Sequence, residues 1–343
     1  MGSTPREIVL QTLEFRNPPR APRQLWLLQW ALDHHAAEVD ALRRDFPDDI
    51  AGIGGHHREL PKTSGNPHIP GEYVDEWGAV FTNIHAGVIG EVKHPVIEDW
   101  DTDVERVHFP REWLTIDRDA VNRDCAATDR FTMAGMCPRP FEQAQFLRGS
   151  ENLYADLASG DVRLLAFLRR MHELYVELVE KWVQTDVDGI SFMDDWGAQR
   201  GLLIRPAVWR EVFKPMYRDY VQIAHAAGKK AFMHSDGHIL AIYPDLVEIG
   251  VDAVNSQLFC MGVANLAPFA GKITFWGEID RQNLLPHGTV EDIERAVEEV
   301  HTHLWRNGGC FAQCEFGAGA RPENVRRVFE TWDRLTSARY AGG

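Results

Sequence analysis

Hydrophobic residues in the second half of the chain form short runs of strand type that alternate with longer amphipathic stretches. The strand-type runs cover residues 189–194, 230–235, 251–256, 272–278 and 309–316. The stretches between them place apolar residues three and four positions apart, which predicts helices with one buried face. These predicted helices are 163–185, 206–227 and 289–307. Strands that alternate with helices predict a parallel sheet.

Residues at the ends of these stretches support the helix predictions. Pro206 suits the first turn of a helix, and Gly228 suits the position after the last turn. Thr289 and Asp292 have the spacing of a capping box, in which each side chain accepts a backbone N–H of the first turn. Helices are therefore expected to begin near residues 206 and 289.

The first half of the chain supplies three further strand-type runs, at residues 24–30, 49–54 and 131–136. Together with the five later runs they make the eight strands of a (β/α)8 TIM barrel. The apolar but Gly-broken stretch 79–90 predicts a hairpin, and the Pro-, Gly- and His-rich stretch 56–76 predicts a long loop. In such barrels the active site lies at the carboxyl ends of the strands.

We expect residues 1–343 to form one barrel domain with an N-terminal helical extension and a hairpin or loop excursion near residues 56–110. Hydrophobic residues make up 44% of the chain, which is enough for a substantial core. The formal net charge of −15 argues against a nucleic-acid or anionic-membrane partner, and no run is apolar for the roughly 18 residues of a membrane span. The five cysteines include no CxxC pair and no signal stretch is visible, so a cytoplasmic location is expected.

Three strand ends carry side chains that bind metals. The strand 230–235 leads into His234 and Asp236, the next-but-one strand leads into Glu278, and the last strand contains Cys314. Imidazole, carboxylate and thiolate donors with an open fourth position suit a catalytic Zn²⁺ ion. The alternative is that His234 and Cys314 are ordinary core residues, because free cysteine is among the most buried residue types.

Other polar residues follow neighbouring strands. Asp194 and Asp195 are candidates for proton transfer, together with Glu278, although an Asp after a strand is often only a helix cap. Asn255, Gln257 and Trp196 are candidates for substrate binding, and the two amides have an alternative role in closing a turn.

Several segments resemble the uroporphyrinogen decarboxylase-like superfamily. The resemblance runs through residues 186–257 and continues through FWGEID at 275–280 and RPENVRRVFE at 321–330, with a fainter match at 75–81. That superfamily includes uroporphyrinogen decarboxylase and zinc-dependent, corrinoid-linked methyltransferases. The resemblance implies a TIM barrel and is nearest to the methyltransferase branch.

The methyltransferase branch binds zinc through a His-x-Cys motif and a distal Cys. The resemblance therefore implies that His234 and Cys314 are zinc ligands, whereas Asp236 stands where the branch has its other thiolate. Asp236 or Glu278 would complete the ligand set, and the site would be harder and more Lewis acidic. The decarboxylase branch has an arginine-rich signature near the first strand, and residues 24–35 contain no arginine.

Three hypotheses follow for the function. The first is a zinc-dependent methyltransferase that acts on a methylated small molecule or methyl carrier, with a corrinoid protein as partner because the chain contains no Asp-x-His-x-x-Gly motif. The second is a decarboxylase or lyase that uses Asp194 or Asp195 for proton transfer and His234 or Arg200 to hold a carboxylate. The third is a ligand-binding barrel without catalysis. A homodimer is the default expectation.

Overall fold

The structure is a computed structural model that describes residues 2–87 and 89–337. Val88, which belongs to the predicted hairpin at 79–90, lies outside the described residues, as do Met1 and residues 338–343.

Strands and helices alternate along most of the described chain. The strands are β1 (Arg23–Leu27), β2 (Ile50–Ile53), β3 (Gly71–Val74), β4 (Val80–Asn83), β5 (Glu91–Val92), β6 (Phe131–Ala134), β7 (Gly189–Met193), β8 (Lys230–Ser235), β9 (Ala253–Ser256), β10 (Thr274–Phe275) and β11 (Ala312–Phe316). The α-helices are α1 (Pro5–Leu13), α2 (Gln29–His34), α3 (Ala36–Asp45), α4 (Arg118–Ala126), α5 (Pro140–Arg148), α6 (Ser150–Ser159), α7 (Val162–Trp182), α8 (Pro206–Val212), α9 (Lys214–Ala226), α10 (Tyr243–Ile249), α11 (Leu258–Met261), α12 (Val263–Leu266), α13 (Leu284–His287), α14 (Val290–Leu304) and α15 (Pro322–Thr336). Short 3₁₀ turns cover Val104–Arg106, Arg111–Leu114, Leu240–Ile242 and Ala267–Phe269.

Parallel strands close into a barrel. One sheet has the order β10-β9-β8-β7-β6-β2, and β1 pairs with β11. A parallel bridge between Phe275 and Cys310 joins β10 to the start of β11, and the Asp49 backbone N–H donates to the Arg23 carbonyl at 2.8 Å to join β2 to β1. Within the described residues, eight parallel strands thus complete the predicted TIM barrel, and each overlaps a predicted run.

Side chains alternate between the inside and the outside of this barrel, as they must along a pleated strand. The inner set forms one buried cluster, whereas the outer set joins a larger cluster between the strands and the helices. The inner cluster consists of Val9, Leu13, Ile50, Phe131, Met133, Phe232, Ala253, Trp276 and Phe311. The position of a residue along its strand therefore decides which environment it meets.

Two local predictions need correction. The segment 56–76 is not a loop throughout, because Gly71–Val74 forms β3 and pairs antiparallel with β4, which in turn pairs with β5. β3 was missed because its four residues, GEYV, include no buried side chain and therefore form no apolar run. The predicted helix 206–227 is interrupted between α8 and α9 because Pro215 has no backbone N–H to donate to the preceding turn. No helix among the described residues has the length and apolarity needed to cross a membrane.

The predicted cap of α14 is confirmed. The Asp292 backbone N–H donates to Thr289 Oγ1 at 3.2 Å, and the Thr289 backbone N–H donates to Asp292 Oδ2 at 2.8 Å.

Asp48 contributes a pH-dependent term to stability. Burial raises the pKa of Asp48 to about 6, although the Leu25 backbone N–H donates to its Oδ1 at 2.7 Å. Because the pKa is raised on folding, Asp48 favours the folded state below pH 4 and loses that contribution as the pH rises through 6. We expect Asp48→Asn to raise the free energy of unfolding at pH 7.5 by about 1–2 kcal/mol, and most of this gain to disappear at pH 4.5, in urea titrations.

Asp45→Asn is the matched control. The Arg326 guanidinium donates to Asp45 at 2.8 Å and lowers the pKa of Asp45, so this substitution is expected to destabilise the protein at pH 7.5. A gain from Asp48→Asn that is equal at both pH values would contradict the role assigned to Asp48.

Candidate metal centre

Three side chains converge at the carboxyl ends of β7 and β8. One ligand atom each from Asp195, His234 and Asp236 lies within 4.8 Å of the others. His234 Nε2 is 3.6 Å from Asp195 Oδ1 and 3.7 Å from Asp236 Oδ1. Two donors about 2.0–2.1 Å from a tetrahedral zinc ion lie roughly 3.4 Å apart, so only small movements would bring these atoms to ligating distance.

The His234 ring is held so that Nε2 faces this cluster. Its Nδ1 lies 2.8 Å from Asn255 Oδ1, and the Asn255 amide donates to the Trp276 carbonyl at 2.7 Å. The second bond fixes which end of the amide accepts, so Nδ1 donates to Asn255 and Nε2 is the ring nitrogen left for a metal. Trp26 packs against the ring with centroids 5.3 Å apart.

Asp236 offers one oxygen that has no partner. Its Oδ1 is buried and makes no hydrogen bond to any described residue. Its Oδ2 accepts a hydrogen bond from Arg281, whose guanidinium also lies 3.4 Å from Glu278 and 3.4 Å from Glu315. Because an unpaired buried carboxylate oxygen is costly, Oδ1 favours a positively charged partner at this position.

Negative charge exceeds positive charge at this end of the barrel. The pKa of Glu278 is raised to about 8, chiefly by burial; Arg281 opposes this rise, and the neighbouring Asp236 and Glu315 add to it. Burial also raises the pKa of Glu315 and of Asp195, and Asp236 adds to both shifts. One guanidinium among four carboxyl groups leaves room for a further positive charge.

Close contact between two loops sets the positions of the ligands. The loop after β7 and the loop after β8 touch at Gly197 and Gly237, and a Cβ on Gly237 would lie 2.0 Å from the Gly197 carbonyl oxygen. The Gly197 backbone N–H donates to the Asp236 carbonyl at 3.0 Å, and the Asp236 backbone N–H donates to Asp195 Oδ1 at 3.0 Å. Only glycine fits this approach, and Gly237 also has a positive φ of 76°.

Asp194 and Trp196 face the helices and do not reach the centre. Asp194 is fully buried, where it accepts hydrogen bonds from the Tyr217 hydroxyl and, at 2.7 Å, from the Glu142 backbone N–H. Trp196 stacks on Phe141 with centroids 4.1 Å apart. The reason is alternation along β7, because Asp195 follows Ser191 and Met193 on the inside while Asp194 and Trp196 lie on the outside.

Cys314 also faces the helical layer, where it is fully buried, and it is not part of the cluster of ligand atoms. Burial raises the pKa of the Cys314 thiol, which disfavours the thiolate that binds metals. Glu278 faces the barrel mouth but lies against Arg281. Among the predicted ligands, the structure therefore brings together His234 and Asp236, and it adds Asp195.

The predicted substrate-binding amides lie near the centre. Asn255 orients His234, and Gln257 Oε1 accepts the Gly237 backbone N–H at 3.2 Å. Gln257 also lines a cavity of about 160 Å³ beside the centre, together with Gln199, Cys260, Glu278 and Arg281.

Sequence reasoning missed Arg281, Glu315 and Trp26. Glu315 lies opposite Trp26 in the register of β1 and β11, and both residues share the inner face. The signal that identifies them is the two-residue period of each strand, because Phe311 and Glu315 are four positions apart and so lie on one face. Arg281 follows β10 in a loop, where no periodicity applies.

The centre fits a zinc ion. Three protein donors with a free fourth position are the pattern of catalytic zinc sites, and an imidazole with two carboxylates is an acceptable ligand set. The unpaired Asp236 Oδ1 and the excess of carboxyl groups both favour a cation there.

The fold and site define the class as a TIM-barrel protein with a candidate metal centre at the carboxyl ends of its strands. Residues 82–335 match the family model described as uroporphyrinogen decarboxylase (URO-D). The chain therefore belongs to the URO-D family, as the sequence resemblance predicts.

Solved structures of similar fold include a methyltransferase from Methanosarcina mazei, with 15% identity, a TM-score of 0.65 and coverage of 97% of this chain and 99% of that chain. This likeness confirms the barrel fold. Weaker likenesses include a B12-independent methionine synthase from a Shewanella species (12% identity, TM-score 0.38, 62% of this chain and 63% of that chain) and an endo-β-1,4-xylanase from Gloeophyllum trabeum (10% identity, TM-score 0.44, 93% and 99%). No curated protein sequence matches the chain significantly.

The contact between Gly197 and Gly237 gives a prediction about stability. Gly237→Ala forces a Cβ against the Gly197 carbonyl at a positive φ, so we expect the free energy of unfolding to fall by about 2–4 kcal/mol. Gly201→Ala is the control, because a Cβ there meets nothing within 4 Å. Equal stability of the two variants in urea titrations would show that the loops do not depend on this contact.

Proposed function

We propose that this protein is a zinc-dependent methyltransferase that acts on a methylated small molecule or methyl carrier and receives or delivers the methyl group through a corrinoid protein. The observation that carries the proposal is the convergence of Asp195, His234 and Asp236 around one buried, unpaired carboxylate oxygen. Membership of the URO-D family and the fold shared with a methyltransferase support it.

The proposed ligands differ from the set that the sequence resemblance implies. His234 and Asp236 remain, Asp195 replaces Cys314, and Glu278 lies against Arg281 instead of coordinating the metal. A site with one imidazole and two carboxylates has harder donors than a thiolate site, so it favours an oxygen or nitrogen atom over sulfur as the bound group.

Each neighbouring residue has a defined task in this proposal. When bound, zinc supplies electrophilic activation of the heteroatom that gives or takes the methyl group. Asn255 fixes the His234 tautomer, Arg281 balances the charge of Asp236, and the cavity beside Gln257 and Glu278 holds the substrate. The barrel mouth is the docking face for the corrinoid partner, and residues 1–343 act as one domain.

Decarboxylation receives less support from the geometry. Of the two candidates for proton transfer, Asp194 is enclosed by Tyr217 and α5, and Asp195 belongs to the metal cluster. Arg281 already contacts three side-chain carboxyl groups and is therefore poorly suited to bind a substrate carboxylate. The third hypothesis, a ligand-binding barrel without catalysis, predicts ligand binding without turnover, whereas the first predicts turnover.

Metal content tests the centre. We expect the purified protein to bind one zinc ion, and His234→Ala or Asp236→Asn to weaken zinc binding by about 100-fold or more because each removes a ligand. Cys314→Ser should retain zinc, because this thiol faces the helices. Elemental analysis and competition with a chromogenic chelator measure these affinities.

His68→Ala, in the exposed part of the 56–76 segment, is the matched histidine control and should bind zinc normally. Loss of zinc in Cys314→Ser, with normal binding in Asp236→Asn, would overturn the proposed ligand set.

Methyl transfer tests the function. We expect the zinc-loaded protein to demethylate methylcobalamin or to methylate cob(I)alamin with a suitable methyl acceptor or donor, and the rate to fall by about 100-fold in His234→Ala. Cobalamin absorbance follows the reaction. Equal rates in the metal-free and zinc-loaded protein would exclude zinc-dependent methyl transfer, and release of CO₂ from a carboxylic acid without corrinoid would support decarboxylation.

A further inference from the structure

A second cavity, of about 250 Å³, lies beside the ends of β2 and β6. Its apolar walls are Trp113, Met136, Leu178 and Trp182, and its polar lining includes Arg139. An enclosed space of about 150 Å³ is enough for benzene, so this cavity has room for a substituted aromatic ring.

The cavity presents polar atoms that lack partners. The Trp182 side chain is fully buried, yet its indole N–H has no hydrogen-bond partner among the described residues. His57 Nδ1 is also buried and unpaired, and burial lowers the pKa of His57. Gly55 makes room for that ring, since a Cβ there would lie 2.5 Å from His57 Nε2.

Arg139 supplies a cation with unused donors. Its one hydrogen bond among the described residues runs to Glu142 Oε2 at 3.5 Å, so most of the five N–H groups of the guanidinium remain available. An arginine with free donors beside an apolar wall suits a carboxylate attached to a flat, apolar body. Glu76 also lines the cavity and adds one competing negative charge.

This cavity and the metal centre lie at the same end of the barrel. The Met193 backbone N–H on β7 donates to the Pro138 carbonyl at 2.9 Å, which ties the loop carrying Arg139 to the strand that leads into Asp195. Burial raises the pKa of Glu142, the partner of Arg139, and the nearby Asp195 carboxylate adds to that rise.

We propose that this cavity binds a small aromatic carboxylate, with the ring between the indoles and Met136 and the carboxylate on Arg139. The claim that such a carboxylate is the substrate of the methyltransferase rests on the proposed function. The claim that the cavity binds such a carboxylate rests on the cavity alone.

Calorimetric titration of the full-length protein with benzoate and with benzamide tests the site. Benzamide keeps the ring and shape of benzoate but lacks its charge. We expect Arg139→Gln to weaken benzoate binding by about tenfold or more while benzamide binding changes by less than about threefold, because only benzoate loses a charge-assisted hydrogen bond. Glu76→Gln, the control within the same cavity, should leave benzoate binding unchanged or tighter.

Met136→Trp fills the cavity without touching Arg139 and should abolish binding of both ligands, so it tests the site even if Arg139→Gln does not fold. No heat of binding for benzoate at concentrations up to about 10 mM, an equal loss of both ligands in Arg139→Gln, or normal binding in Met136→Trp would overturn the proposal. Zinc analysis of the same samples distinguishes the two proposals. Benzoate binding by protein that binds no zinc would contradict only the proposed function. Zinc binding by protein that binds no benzoate would contradict only this inference.

Discussion

Alternation of side chains along eight parallel strands is the constraint on which the rest of this structure depends. Each strand sends every second side chain into the barrel and the others toward the helices. Phe232, His234 and Asp236 therefore share the inner face of β8 and its continuation, whereas the neighbouring Asp195 and Asp194 have opposite surroundings. A shift of one residue in the register of β7 or β8 would turn the candidate metal ligands toward the helices and turn core residues into the barrel.

The barrel mouth combines a rigid framework with an unbalanced charge. The strands and the Gly197–Gly237 contact hold Asp195 and Asp236 near His234. Arg281 compensates part of the negative charge, and burial, together with the charges of Asp236 and Glu315, still raises the pKa of Glu278. A bound cation would stabilise such a pocket, because it would pair with the unpaired oxygen and offset the surplus negative charge of the carboxyl groups.

The sequence predicted the barrel well because each long strand–helix unit carries its own periodicity. All eight strand runs and the cap at Thr289 are confirmed. Two elements were less accessible: β3 has no buried side chain and so no apolar run, and the break before α9 depends on the single residue Pro215. At the site, the sequence identified His234 and Asp236 as donors but grouped them with Cys314, because nearness to a strand end says nothing about which face a side chain occupies.

The sequence by itself therefore determined the family, the barrel and the residue types at the strand ends, since these follow from local patterns of hydrophobicity and from recognisable segments. Only the tertiary structure decided that Asp195 joins the centre, that Cys314 leaves it, and that Arg281 bridges three carboxylates from different segments. The physical reason is that a binding site is defined by distances across strands, and the register and curvature that set those distances exist only once the barrel has closed.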